Sequence, residues 1–128
     1  MYRYLNLNPT GRRTDDCVIR ALAKSFGVDW VTMYKNIADE GLRKHDIMQA
    51  NHVWIGWLER HGYRMFPIPN TCPDCYTVKD FCREHKTGSY ILGTGTHVVA
   101  VSDGDWFDIF DSGDLIPIYY FRRYNYGV

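Results

Sequence analysis

The amino-acid sequence predicts an α+β protein, with an N-terminal helical lobe packed on an antiparallel β-sheet. In the first half, apolar residues recur at spacings of three and four, which is typical of amphipathic helices. In the second half, short runs rich in β-branched and aromatic residues lie between turn residues, which is typical of strands. The 128 residues suffice for one hydrophobic core and are too few for two domains of ordinary size. We therefore expect a single domain over residues 1–128.

The first predicted helix runs from about Cys17 to Phe26. Asp16 or Thr14 can cap its start, because short polar side chains accept hydrogen bonds from the free amides of the first turn. Gly27 supplies the stop, since glycine adopts the left-handed conformation that ends many helices. The apolar stripe of this helix consists of Val18, Ile19, Leu22 and Phe26.

Two further helices are predicted before the strands begin. The second helix starts after Asp29 and frays near Gly41, where glycine lowers helix stability. The third helix covers roughly residues 51–61 and ends before Gly62. The residues predicted to face inward on the second helix are Val31, Tyr34, Ile37 and Ala38.

The second half predicts five strands and one short helix. "YRMFPIP" indicates a strand closed by Pro67 and Pro69. After the loop "NTCPDC", Thr77 can cap a helix that ends at Gly88. The strands that follow are "SYILG", "THVVAVS", "WFDIFD" and "IPIYYF". Because their connections are short, we expect an antiparallel meander.

Charge and hydropathy exclude some classes of partner. Lys+Arg 15 balance Asp+Glu 15 without a run of like charges, so the sequence predicts no nucleic-acid or anionic-membrane partner. The C-terminal stretch "IPIYYFRRYNYGV" could stack aromatic rings on bases, but the alternation of Ile116, Ile118 and Tyr120 is better explained by a strand. No apolar run has the length of a signal peptide or a membrane span, so we expect a cytoplasmic protein.

Cys17 is the candidate nucleophile. In "TDDCVIR" it lies at the start of the first helix, where free N–H groups and the helix dipole favour a thiolate. A thiolate of this kind needs a general base that a third group holds in one tautomer. His97 is the best candidate base, because it opens the strand "HVVAVS" and an imidazole can reach out from the end of a sheet.

The third group is Asp111 or Asp108, depending on the turn between two strands. If Asp103 and Gly104 alone form the turn, paired residue numbers add to an odd total and Asp108 shares the face of His97. If a three-residue loop forms, the total is even and Asp111 shares that face. Both turns suit the sequence. We favour Asp111, since the far end of the second strand should lie beside the near end of the first.

A competing pattern is a zinc site. Cys72, Cys75, Cys82 and His85 form two pairs with the ligand types and spacing that structural zinc uses. The short gap between the pairs argues against it, and so does the position of Cys82 on the apolar stripe of a helix. If the site exists, it braces a loop, because four protein ligands leave no open position for chemistry. In a cytoplasmic chain we expect the cysteines to be reduced thiols, ligands or a nucleophile rather than a disulfide framework.

The order of these residues resembles the papain-like cysteine peptidase superfamily. The matching stretches are "DCVIRAL" around Cys17, "GTHVVAVSDGDWFDIFDS" around His97, and the pair Asp111 and Ser112. In particular, the chain looks like the small bacteriocin-processing peptidase domains. The stretches "TVKDFCREHKTGSYIL" and "NPTGRRTDDCVIRAL" also look like stretches of small phage and bacterial proteins that read as members of this superfamily. The resemblance implies a papain-like fold with a cleft between its two lobes.

The resemblance also implies a chemistry and a departure from it. A Cys17–His97–Asp111 triad would transfer acyl groups through a thioester. The bacteriocin-processing domains carry an oxyanion-hole Gln about six residues before the cysteine, where this chain has Gly11, and Asn8 is the suggested substitute. The expected function is a cysteine peptidase or related thiol acyl hydrolase. The alternative, favoured by the missing Gln, is a papain-like binding or regulatory module without turnover.

The resemblance further implies a peptide or protein substrate and a peptide-like or amide bond as the reacting group. No cofactor is expected, because the thiol, imidazole and carboxylate supply the chemistry. We also expect a monomer, with no nucleic acid and no membrane among its partners.

Overall fold

The computed structural model of the protein describes residues 1–124. Within that range the chain forms four α-helices and six β-strands, so the predicted α+β class is confirmed. The helices are α1 (Cys17–Phe26), α2 (Trp30–Lys44), α3 (Asn51–Arg60) and α4 (Val78–Glu84). The strands are β1 (Tyr2–Tyr4), β2 (Tyr63–Pro67), β3 (Ser89–Gly93), β4 (Val98–Ser102), β5 (Asp105–Asp108) and β6 (Tyr119–Arg123). Tyr126, in the aromatic stretch considered for base stacking, lies outside the described residues.

The strands form one mixed sheet in the order β1-β5-β4-β3-β6-β2. The prediction of a purely antiparallel sheet is wrong at one edge, where β1 runs parallel to β5. The meander prediction holds for β3, β4 and β5. It fails for β6, because the long connection after β5 returns across the sheet and places β6 between β3 and β2. β1 has no counterpart among the predicted strands, since three residues are too few to show a period of two.

Helices cover both faces of the sheet. α1, α2 and α3 pack on one face, in a core that includes Val98 and Ala100 of β4. α4 packs on the opposite face, in a core that includes Val99 and Val101 of the same strand. Successive residues of a strand point to opposite faces, so β4 is buried on both sides. The central strand is therefore held rigidly beside the N-terminus of α1.

The first helix matches its prediction, and the second does not end where glycine suggested. Gly27 takes the left-handed conformation, with φ +66°, after α1. α2 continues past Gly41 to Lys44, because this glycine makes room for a neighbouring loop instead of ending the helix. A Cβ added at Gly41 would lie 2.7 Å from the carbonyl oxygen of Asp46.

The predicted inward face of α2 is partly wrong. Ile37 is buried as expected, but Val31 and Tyr34 are exposed, at 46% and 43%. The buried stripe is displaced around the helix and consists of Met33, Ile37, Glu40 and Gly41. Tyr34 instead stacks on Trp30, with ring centroids 5.1 Å apart. Stacking of exposed aromatic rings explains the apolar character of this outer face.

Across residues 1–124, no helix combines the length and the apolar character that crossing a membrane requires.

Candidate active site

Cys17 is the first residue of α1, and Asp16 is its N-cap. Of the two predicted caps, Asp16 is the N-cap residue, but its side chain makes no capping hydrogen bond. The amides of the first helical turn have no acceptor inside the helix. The Cys17 thiol is half-buried and hydrogen-bonds to the side chain of His97 and to the backbone amide of Val98. The predicted meeting of Cys17 and His97 therefore occurs.

A tight turn between β3 and β4 positions His97. Its amide donates to Thr94 Oγ1 at 3.0 Å, and its carbonyl accepts from the Thr94 amide at 2.9 Å. Its Nε2 lies 2.7 Å from Asp108 Oδ2. Because Asp108 occupies Nε2, the nitrogen that remains for Cys17 is Nδ1. The Phe110 ring lies beside the imidazole, with centroids 5.1 Å apart.

Asp108 ends β5 and is 1% exposed. The register pairs Ser102 with Asp105, so paired numbers add to an odd total. The turn consists of Asp103 and Gly104 alone, with φ of +49° and +80°, as two-residue hairpin turns of this kind require. The turn geometry thus brings Asp108 to His97.

The preference for Asp111 is wrong. β5 ends at Asp108, so Asp111 lies in the loop beyond the strand and is exposed. Its Oδ1 accepts hydrogen bonds from Trp106 Nε1 at 2.9 Å and from the Gly113 amide at 3.0 Å. Asp111 therefore orders the loop after β5 and does not meet the imidazole.

The three groups shift each other's protonation. Burial disfavours the Cys17 thiolate, but the hydrogen bond and positive charge of His97 outweigh this and lower the pKa of the thiol. Burial also disfavours the imidazolium, yet Asp108 and Cys17 raise the pKa of His97 to about 9. Burial raises the pKa of Asp108, and His97 more than reverses that effect. At neutral pH the arrangement therefore favours a thiolate–imidazolium pair beside an ionised carboxylate.

A buried arginine joins this group to the start of α1. Arg20 is 6% exposed, and its guanidinium lies between the carboxylates of Asp16 and Asp108. Arg20 is not among the residues that the sequence predicts for the site. The available signal is the spacing of Asp16 and Arg20 at i and i+4, but that spacing usually marks an exposed helical ion pair.

An open cleft of about 840 Å³ lies over Cys17 and His97. Residues from several loops and from the start of α3 line it, among them Arg13, Asp15, Gln49, Asn51, Gly95 and Phe110. Asn8 is not part of this lining within residues 1–124. Its Nδ2 donates to Asp16 Oδ2 at 3.1 Å, and its Oδ1 accepts from Thr10. The suggestion that Asn8 replaces the oxyanion Gln is therefore wrong, because Asp16 and Thr10 hold the amide outside the cleft.

The zinc alternative is also wrong. Cys72 and Cys75 form a disulfide, so the prediction of reduced thiols is wrong for these two residues. Cys82 is buried in the core under α4, where burial raises the pKa of its thiol to about 11. His85 stacks on Phe81 with centroids 3.8 Å apart. Among residues 1–124, no group of three or more His, Cys, Asp or Glu side chains is arranged to hold a metal ion.

Comparison with known proteins adds no relative. No family model matches the chain, and no curated protein or solved structure matches it.

Proposed function

We propose that this protein is a cysteine peptidase or a related thiol acyl hydrolase of the papain-like superfamily. Its nucleophile is Cys17, its general base and acid is His97, and Asp108 orients the imidazole. One observation carries the proposal: the thiol, the imidazole and the buried carboxylate are hydrogen-bonded in series at the floor of an open cleft. The substrate class is a peptide-like or amide carbonyl compound, and we propose a peptide or protein as the substrate.

The protonation state supports this chemistry. A thiolate at Cys17 attacks the carbonyl carbon and forms a carbon–sulfur bond. The His97 imidazolium then donates its proton to the departing amine, which leaves a thioester on the enzyme. The neutral imidazole next takes a proton from water, whose oxygen attacks the thioester. The carbon–sulfur bond breaks, the acid departs, and the thiolate–imidazolium pair is restored. Asp108 keeps Nδ1 of the ring directed at the sulfur throughout, because it holds Nε2.

Two groups can stabilise the oxyanion. The backbone N–H of Cys17 is one, since the first amide of a helix has no acceptor inside the helix. The side-chain amide of Gln49 is the other. Gln49 lines the cleft, is exposed, and makes no side-chain hydrogen bond within residues 1–124. Asn51 also lines the cleft, but its amide contacts Gly95 and Trp54.

A peptide carrying an electrophilic group tests the proposal. Intact-mass measurement should show one label on the wild type, and digestion should place the label on Cys17. His97→Ala should suppress labelling, because the thiol loses the partner that lowers its pKa. His52→Ala is the matched control, since it removes an exposed histidine paired with Asp46. Equal labelling of His97→Ala and wild type would reject the proposal.

A second candidate function has one observation in its favour. The position of the oxyanion Gln is Gly11, and Asn8 is engaged by Asp16. This favours a papain-like binding module that keeps the cleft but lacks turnover. An activated ester separates the two functions: an enzyme releases acid over many cycles, whereas a module with a reactive thiol stops after one acylation.

A further inference from the structure

Arg20 occupies an unusual position for an arginine. It lies in α1, three residues after Cys17, and is 6% exposed. Its Nε donates to Asp16 Oδ1 at 2.7 Å, and its Nη1 donates to Asp108 Oδ1 at 3.1 Å. Both carboxylates are themselves buried, at 7% and 1% exposure. A buried arginine usually stays ionised, so it must be matched by negative charge, as it is here.

The two carboxylate oxygens of Asp108 have different hydrogen-bond partners. Oδ1 accepts from Arg20 Nη1 and from the Ile109 amide, the latter at 2.8 Å. Oδ2 accepts from His97 Nε2. With Oδ1 held twice, rotation of the carboxylate would break two hydrogen bonds, so a single oxygen is presented to the imidazole in a single orientation.

The other end of the guanidinium is anchored to a fixed carboxylate. Asp16 Oδ2 accepts from Trp30 Nε1 at 2.9 Å and from Asn8 Nδ2 at 3.1 Å. Asp16 is thus held by the start of α2 and by the N-terminal loop as well as by Arg20. Through Arg20 these contacts reach Asp108 on β5. One side chain therefore ties the helix that carries the thiol to the strand that carries the carboxylate.

We propose that Arg20 is a positioning residue that acts through Asp108 to orient His97 toward the thiol of Cys17. The inference rests on the proposed function and extends it, because none of the family features described above includes an arginine at this position.

Charge balance supports the same role. The charged and titratable groups that act directly on His97 are Cys17 of α1 and Asp108 of β5. Around these two, Arg20 contacts Asp108 and Asp16, and Tyr119 of β6 interacts with Cys17. With Arg20 present, two carboxylates and a thiolate are opposed by a guanidinium and an imidazolium. Without it, both buried carboxylates depend on the imidazolium alone, and one of them is expected to take up a proton. A protonated or rotated Asp108 no longer fixes the ring.

A double-mutant cycle separates positioning from a purely structural role. The measured quantity is the rate of Cys17 alkylation by iodoacetamide from pH 5 to 9, read by mass spectrometry, which requires no knowledge of the substrate. Arg20→Met and Asp108→Asn should each slow alkylation at neutral pH by about tenfold, the change that one pH unit in a pKa produces. If Arg20 acts through Asp108, the double variant should react no more slowly than the slower single variant.

A matched control covers the loss of stability that follows removal of an arginine from a buried carboxylate. Arg60→Met breaks a different ion pair, with the buried carboxylate of Glu40, away from the cleft lining. It should lower the unfolding temperature and leave the pH profile of Cys17 unchanged. A profile shifted in this control as far as in Arg20→Met would overturn the inference, since general destabilisation would then explain both.

The remaining outcomes are also decisive. A wild-type profile in Arg20→Met, or a double variant slowed by the product of the two single effects, about a hundredfold, overturns the inference. If Arg20→Met shows no cooperative unfolding, Arg20→Lys replaces it, because an ammonium group cannot hold both carboxylates in fork geometry. The double variant of Arg20→Lys and Asp108→Asn should then also react no more slowly than the slower single variant. A double variant slowed by the product of the two single effects overturns the inference. If His97→Ala leaves the alkylation rate unchanged, the proposed function fails together with this inference. If His97→Ala slows alkylation but the double variant is slowed by the product of the two single effects, the inference alone fails.

Discussion

Replacement of Asp108 by asparagine should lower the fraction of Cys17 that is ionised at neutral pH, although it leaves the shape of the site intact. The carboxylate at 2.7 Å from Nε2 is one of two groups that outweigh burial and raise the pKa of His97 from 6.5 to about 9. That difference corresponds to roughly 3 kcal/mol of preference for the imidazolium, at about 1.4 kcal/mol per pH unit. His97 is 16% exposed, so solvent screening reduces this preference little.

Asp108 and Cys17 share the effect on His97. The hydrogen bond to Asp108 is the largest of the causes that raise the pKa of His97, and each pH unit by which that pKa falls corresponds to about a tenfold loss of the thiolate–imidazolium pair near neutral pH. The assay is the second-order rate of iodoacetamide alkylation at Cys17 as a function of pH. Asp108→Asn should move the profile toward higher pH and lower the rate at pH 7 by about tenfold.

Asp111→Asn is the matched control, three residues along the same chain. Asp111 bonds to Trp106 and to the backbone of Gly113 and is exposed, so its replacement should change the alkylation rate by less than about twofold. A larger loss in Asp111→Asn than in Asp108→Asn would refute the assignment of the third group. So would an unchanged profile in Asp108→Asn.

Three further perturbations follow from the same structure. Wild-type stability should change little between pH 6.5 and 9, because the proton gained by His97 on folding is offset by the proton lost by Cys17. In Cys17→Ser the thiol no longer titrates and no longer raises the pKa of His97, so the remaining stabilisation from Asp108 should be fully present below pH 6.5 and be lost as pH rises through a folded pKa that lies below 9, as urea unfolding at several pH values will show. Gln49→Ala should slow acylation by a peptide substrate by about tenfold or more, yet leave iodoacetamide alkylation unchanged, because displacement of iodide develops no oxyanion; an equal effect on both rates would exclude Gln49 as an oxyanion donor. Gly41→Ala should lower the free energy of unfolding by about 1–3 kcal/mol in urea unfolding, since the new Cβ would lie 2.7 Å from the backbone oxygen of Asp46. A variant as stable as the wild type would show that the loop around Asp46 moves away at no cost.

The positions of Cys17 and His97, the proposed nucleophile and base, could be predicted because their signals are local. A cysteine after two aspartates and before an apolar stripe indicates the start of a helix, and α1 begins at Cys17 as expected. His97 stands directly before a strand whose β-branched residues make it easy to recognise. Neither inference depends on how distant parts of the chain pair.

The third group depended on a single residue of turn length. The sequence "SDGD" suits both a two-residue and a three-residue turn, and the two choices exchange Asp108 for Asp111. The structure has the two-residue turn. Our preference for Asp111 assumed that the second strand continues to that residue, whereas β5 ends three residues earlier.

Arg20 and the sheet order could not be predicted for a different reason. An arginine in a helix is normally exposed, and only the tertiary structure brings Asp108 to the guanidinium from 88 residues away. The position of β6 is equally non-local, because it depends on which strand edges are free when that segment folds. A similar limit applies to Cys72 and Cys75, where the same spacing suits a metal site and a disulfide.

The position of β6 in the sheet bears on synthesis of the protein at the ribosome. β2 is made early but has no strand beside it until β6 emerges and inserts between it and β3. β6 is the last strand of the described chain, so a growing chain already contains Cys17, His97 and Asp108 before the sheet beneath them can close. The outer edge of β3 and the whole of β2 therefore stay unpaired in the nascent chain until β6 has been synthesised.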